Sequence, residues 1–135
     1  MEYVGAGQVF RHYLALSNEL NSPKVLACGS DTARLRTSDF AGLSDRNISY
    51  FVGLGATETN PRTILSGDRN VSTNGRIVSG MLTVTNSSGV GWTKDIHQHA
   101  GNIGLGDGSV LQAREIDLRR QFDSGTNLPA RLEIP

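Results

Sequence analysis

The sequence predicts a single α+β domain, with helical patterning towards the two ends of the chain and strand patterning between them. Apolar residues near the N-terminus recur every three or four positions, whereas from Ile48 onward they recur every second position. Turn dipeptides such as Asn74-Gly75 and Asp107-Gly108 separate the alternating runs. Strands segregated from helices in this way build an antiparallel sheet, not the parallel sheet of a strictly alternating chain. At 135 residues, 37% hydrophobic and 19% charged, the chain can bury one core and lacks the composition of a disordered protein.

The elements follow in order. Residues 1–21 read as a helix: Val9, Tyr13, Leu16 and Leu20 form one apolar stripe, which Phe10 and Leu14 widen. Gly5 and Gly7 weaken its start, and Asn21-Ser22-Pro23 ends it because the residue before proline avoids the helical region. Residues 22–47 are polar and punctuated by Gly29-Ser30-Asp31 and Ser44-Asp45-Arg46, so a long structured loop with at most a short helical turn is expected. Residues 48–112 should form the sheet. Its strands run from Ile48 to Leu54, Thr63 to Asp68, Met81 to Thr85 and Val90 to Ile96, and its last hairpin turns at Asp107-Gly108. A two-residue turn there pairs Gly104 with Leu111 and Leu105 with Val110, and the bare Gly104 and Gly106 imply a neighbour close against the backbone. Residues 113–135 read as a short helix from Glu115 to Phe122, stopped by Ser124-Gly125, and a frayed tail from Arg131 to Pro135.

Composition excludes several classes of function. Thirteen basic residues balance thirteen acidic ones, and the densest basic feature is the pair Arg119-Arg120, so no nucleic-acid partner is implied. No apolar run approaches the length of about 18 residues that a membrane span needs. Cys28 is the only cysteine, which excludes an intrachain disulfide and suits a part-buried structural thiol. Met1-Glu2-Tyr3 opens the chain without the charged and apolar regions of a signal peptide.

Chemistry-bearing residues concentrate in His97-Gln98-His99 and the glycine-rich stretch after it. On a strand the two histidines would project from one face about 7 Å apart, near enough to chelate a metal, with Asp95, Asp107 or His12 as further ligands. Asp68 and Asp107 each follow a glycine and are candidate calcium ligands, although the D-x-D-x-D-G loop is absent. No G-x-S-x-G elbow exists, since Ser66 has Ile64 and Asp68 at the glycine positions. Gly104-Leu105-Gly106-Asp107-Gly108 lacks the third glycine and the following helix of a dinucleotide loop. Tyr50, Phe51 and Trp92 could stack on a sugar, but scattered aromatics more often fill a core. The sequons at Asn47, Asn70 and Asn86 read as ordinary turn residues.

Nine residues separate His97 from Asp107-Gly108, giving the pattern H-x9-D-G. Upstream stand Cys28-Gly29-Ser30-Asp31 and the segment NISYFVGLGATETNPRTILSGDRN. Together, over residues 22–111, these features resemble a bacterial family of prepilin-like proteins related to the pseudopilins of type II secretion. The resemblance implies a pilin-like fold, with an N-terminal helix packed on a small antiparallel sheet by way of a long loop. It implies a filament subunit that acts in protein export by assembly, with no enzymatic activity and no cofactor beyond a possible calcium ion. Its partners would be other pseudopilin subunits, the secretion machinery and exported proteins. The family's leader and apolar half-helix are missing, so residues 2–20 are expected to be the soluble remainder of a longer helix. That helix would anchor the protein in the inner membrane, with the head on the periplasmic or cell-surface side. His97, Asp107 and Gly108 would be structural, with the His97 ring bonded to the turn around Asp107. An extracellular ligand- or carbohydrate-binding β-domain using Tyr50, Phe51 and Trp92 is the alternative, and a metal enzyme built on His97 and His99 is a third reading.

Overall fold

The computed structural model describes residues 7–124 and 127–135. It is α+β, with an antiparallel six-stranded sheet, a smaller three-stranded sheet and short helices. The strands are β1 (Tyr50–Gly53), β2 (Ile64–Asp68), β3 (Val71–Thr73), β4 (Arg76–Ile77), β5 (Gly80–Val84), β6 (Val90–Trp92), β7 (Ala100–Leu105), β8 (Val110–Arg114) and β9 (Ala130–Ile134). The large sheet runs β5-β9-β1-β2-β7-β8 and the small one β4-β3-β6. Consecutive strands β2 and β3 therefore lie in different sheets, joined by Arg69 and Asn70 alone.

Helical patterning at the N-terminus yields two short pieces, α1 (Val9–Leu14) and α2 (Ser17–Leu20), instead of one helix. Gly7 is left-handed, so the helix cannot extend back through it, and Glu2 and Gly5 lie outside the described residues. The break falls at Leu16, whose amide reaches back only three residues, to the Tyr13 carbonyl. Leu16 thereby leaves the expected stripe and stands 49% exposed, while Val9 is fully buried with Phe10, Tyr13 and Leu20 packed around it. No helix of the described residues is long and apolar enough to cross a membrane.

Alternation along β1 divides the core. Val52 faces a cluster of Val9, Leu26, Leu43 and Ile48, contributed by α1 and the 22–47 segment. Phe51 faces the main core, where Ile64, Trp92, Ile103, Leu105 and Leu132 meet Leu118 and Phe122 of α3 (Glu115–Asp123). Tyr13 ties the first layer to the sheet: its hydroxyl lies 3.1 Å from Ser66 Oγ, and burial pushes its pKa well up. The 22–47 segment is a structured loop, but it holds three single turns of 3-10 helix where at most one short turn was expected.

Two expectations fail here. The tail is not frayed: β9 is an interior strand between β5 and β1, with Leu132, Glu133 and Ile134 buried. Glu133 is tolerated inside because His12 of α1 reaches its carboxylate at 3.0 Å. The Asp107 hairpin is also one residue out of the expected register, with Gly104 opposite Val110 and Ile103 opposite Leu111. Only Gly108 is left-handed (φ +86°), so the loop has three residues, Gly106, Asp107 and Gly108, closed by Leu105 N to Ser109 O at 2.9 Å. A one-residue slip reverses the faces, which is why Val110 points out while Leu105 is buried. Gly106 does meet a close neighbour, since a Cβ there would come within 2.8 Å of the Thr57 carbonyl; Gly104 is only in ordinary contact.

Replacing Leu132 with Ala should cost about 2–5 kcal/mol in urea unfolding, the range for a cavity in a packed core. A frayed tail would give no measurable loss.

Candidate functional site

The site is built on three consecutive residues at the corner between the two sheets, Asp68, Arg69 and Asn70, all buried. Each reaches a different part of the chain. Arg69 grips Asp31 with both prongs, Nε to Oδ2 at 2.7 Å and Nη2 to Oδ1 at 2.6 Å. Ser49 Oγ donates to the same carboxylate at 2.9 Å, and the Ala33 amide donates to it at 3.2 Å. Ser49 Oγ also accepts the Cys28 amide at 2.9 Å, so the Cys28–Asp31 turn is fastened at both ends.

Asn70 organises the loop that precedes β7. Its Nδ2 shares its two hydrogens among the carbonyls of Thr93, Asp95 and Ala100 at 3.2, 2.9 and 3.1 Å, and its main-chain carbonyl accepts the Thr93 amide at 2.8 Å. Within this loop Ile96, Gln98 and His99 are all left-handed, at φ +66°, +52° and +61°. A β-branched residue is rare in that region and costs about 1–2 kcal/mol there, so the Asn70 bonds hold a strained path. The strand expected from Val90 to Ile96 accordingly ends at Trp92.

That path aims His97 at Asp68. His97 Nε2 lies 3.3 Å from Asp68 Oδ2 as an ion-pair contact, and the same oxygen accepts the Asn102 amide at 2.6 Å and Asn102 Nδ2 at 3.1 Å. Cys28 Sγ lies 3.7 Å from the same His97 nitrogen. Thiol and carboxylate thus share one ring nitrogen, whereas a catalytic relay places them on opposite nitrogens. His99 diverges, its Nδ1 donating to the Trp92 carbonyl at 3.2 Å, because the left-handed backbone breaks the strand alternation expected of the two histidines.

Several sequence-derived candidates do not meet. His97 and Asp107 stand before and after β7, so the expected bond between them is absent; Asp107 instead accepts the Ser109 amide and hydroxyl at 2.9 and 2.6 Å. Asp68 and Asp107, the calcium candidates, share no site for the same reason. Among the described residues no group of three or more His, Cys, Asp or Glu is placed to hold a metal ion. Phe51 and Trp92 are 0% and 2% exposed, so they present no stacking platform with Tyr50. Nothing in the sequence pattern marks Arg69, Asn102 or Ser49 as site residues, and Asn70 is marked only as a sequon. The available signal was an Asp-Arg-Asn run between two strand-like segments with neither glycine nor proline to mark a turn.

The two carboxyls titrate in opposite directions. Burial pushes Asp31 up, but the hydrogen bonds from Arg69 and Ser49, the Arg69 charge and the Ala33 amide together bring it below its ordinary value. Burial pushes Asp68 up, and Asn102 and the His97 charge only partly offset it. Tyr50, directly across from Asp68 on β1, is pushed up by burial and then by Cys28, Asp68 and Asp31.

No family model, curated protein or solved structure matches this chain.

Two expected outcomes follow from the geometry. Asp31 stabilises the fold above the unfolded carboxylate value, near pH 4, and loses that effect as pH falls through its lower folded value. Asp68, raised on folding, stabilises below that value and loses the effect as pH rises through its folded value. Urea unfolding between pH 3 and 7 should therefore show Asp31→Asn losing stability relative to the parent as pH rises, and Asp68→Asn gaining. Equal slopes for the two variants would refute the assignment. Separately, Asn70→Ala should cost about 1–3 kcal/mol by orphaning buried carbonyls, with faster amide exchange confined to residues 93–100.

Proposed function

We propose that this chain is the head of a prepilin-type, pseudopilin-like filament subunit that works in protein export by assembly, not by catalysis. One observation carries the reading: the segments that bear the resemblance converge on a single corner. Cys28 and Asp31, the β1–β2 pair and His97 all reach Asp68, Arg69 or Ser49. The motif residues then act as the fasteners of a head domain, with Asp107 and Gly108 closing the far hairpin. The packing of α1 and α2 on one face of the sheet suits a pilin-like arrangement, in which a preceding apolar helix would supply the membrane anchor and filament core. On this reading the partners are other pseudopilin subunits and the secretion machinery, and the head works on the periplasmic or cell-surface side.

The test uses the native reading frame, expressed with and without a prepilin peptidase and followed by mass spectrometry of the intact protein. Peptidase-dependent shortening just ahead of an apolar stretch supports the proposal. A native protein without such a stretch, or one left unshortened, overturns it.

A further inference from the structure

We propose that β8 is a self-association edge, through which two copies of this chain join their large sheets about a two-fold axis at Leu111. The strand pairs with β7 on one side, and no other described strand pairs with it on the other. Because Leu105 and Ser109 form a hydrogen-bonded pair, the antiparallel alternation turns the main-chain groups of Leu111 and Ala113 towards β7. Those of Val110 and Gln112 point outward. The Arg114 amide is occupied by Asp117 at 3.1 Å, so Val110 and Gln112 define the open edge.

This edge lacks the devices that usually guard one. It carries no proline, no lysine and no inward-facing charge, and it exposes Val110 (71%) and Leu111 (40%). On β5, the other outer strand, Met81 is the one large apolar side chain that is exposed.

The register that pairs opposite charges centres the second copy on Leu111. With Leu111 opposite Leu111 of the partner subunit, the two side chains meet at a non-hydrogen-bonded position, where strands bring Cα atoms to about 4.5 Å. Val110 and Gln112 then exchange both main-chain bonds with their counterparts on each side of the axis. Arg114 falls opposite Gly108 of the partner subunit, so its exposed guanidinium, bonded through Nε to Asp117 of its own chain at 3.0 Å, can turn its Nη groups to the partner's Asp107, twice by symmetry. Centring the axis on Gln112 instead would set Arg114 opposite Val110 of the partner subunit, three residues from the partner's Asp107, and lose that pair. Charge complementarity therefore selects both the occupant and the register.

The experiment is sedimentation equilibrium of the 135-residue chain from about 1 µM to 1 mM, since a single strand edge supports only weak association. Reversible dimerisation is expected towards the upper limit. Gln112→Pro removes an outward N–H without touching the β7 ladder, and should leave a folded monomer throughout. Arg114→Glu should weaken the dimer at least tenfold, and adding Asp107→Arg should restore it. Within one chain those two residues are about 20 Å apart along the strand, so restoration can only act between copies. A strict monomer at 1 mM overturns the proposal. So does a dimer that survives Gln112→Pro, or a charge swap that restores nothing; should Gln112→Pro fail to fold, the charge swap alone decides.

Discussion

The bidentate contact between Arg69 and Asp31 is the constraint on which the rest of the structure depends. Both groups are buried, and leaving either charge inside without its partner would cost about 3–5 kcal/mol. The cost is offset because every exposed lone pair of Asp31 has a donor: Arg69 twice, Ser49 and the Ala33 amide. Arg69 is also the first residue beyond β2, and its amide donates to the Ser49 carbonyl. The ion pair therefore fixes three things at once: the bend from the large sheet to the small one, the approach of the 28–31 turn, and the start of β1.

With Arg69 committed to Asp31, its neighbours must find other partners, and this divides the remaining loops between them. Asp68 takes Asn102 and faces the His97 imidazole in place of a guanidinium; Asn70 takes three carbonyls of the 93–100 loop. Deep burial with only one ionisable donor is why Asp68 holds its proton more tightly than Asp31 does. Two carboxyls with a shared neighbourhood thus differ in sign because one faces a guanidinium and the other an imidazole.

Much of the architecture was legible in residue patterns, and the exceptions have physical reasons. Period-two alternation located β1, β2 and β5, and the residue types of Asn74-Gly75 and Asp107-Gly108 located two turns. The tail reads as frayed because chain termini usually are; burial of Glu133 depends on His12, which lies 121 positions away in sequence. The hairpin register turned on whether Asp107 as well as Gly108 would be left-handed, a choice that local composition does not make. The site was only half visible. Cys28, Asp31 and His97 stood out by spacing and Asp68 only as a calcium candidate, whereas Arg69 and Asn70 looked like ordinary polar residues, because burial is not a local property.

The nine-residue interval from His97 to Asp107 now has a mechanical meaning. His97 is pinned to Asp68 at one end, and Gly108 supplies the only left-handed position in the turn at the other. Between them β7 must place Gly101, Ile103 and Leu105 on the inner face and keep Asn102 at the Asp68 carboxylate. Adding or removing one residue would carry Ile103 and Leu105 to the solvent side or pull Asn102 from Asp68. The spacing is therefore the length of one strand fastened at both ends, and it would be kept for the sheet's sake whatever the head domain goes on to bind.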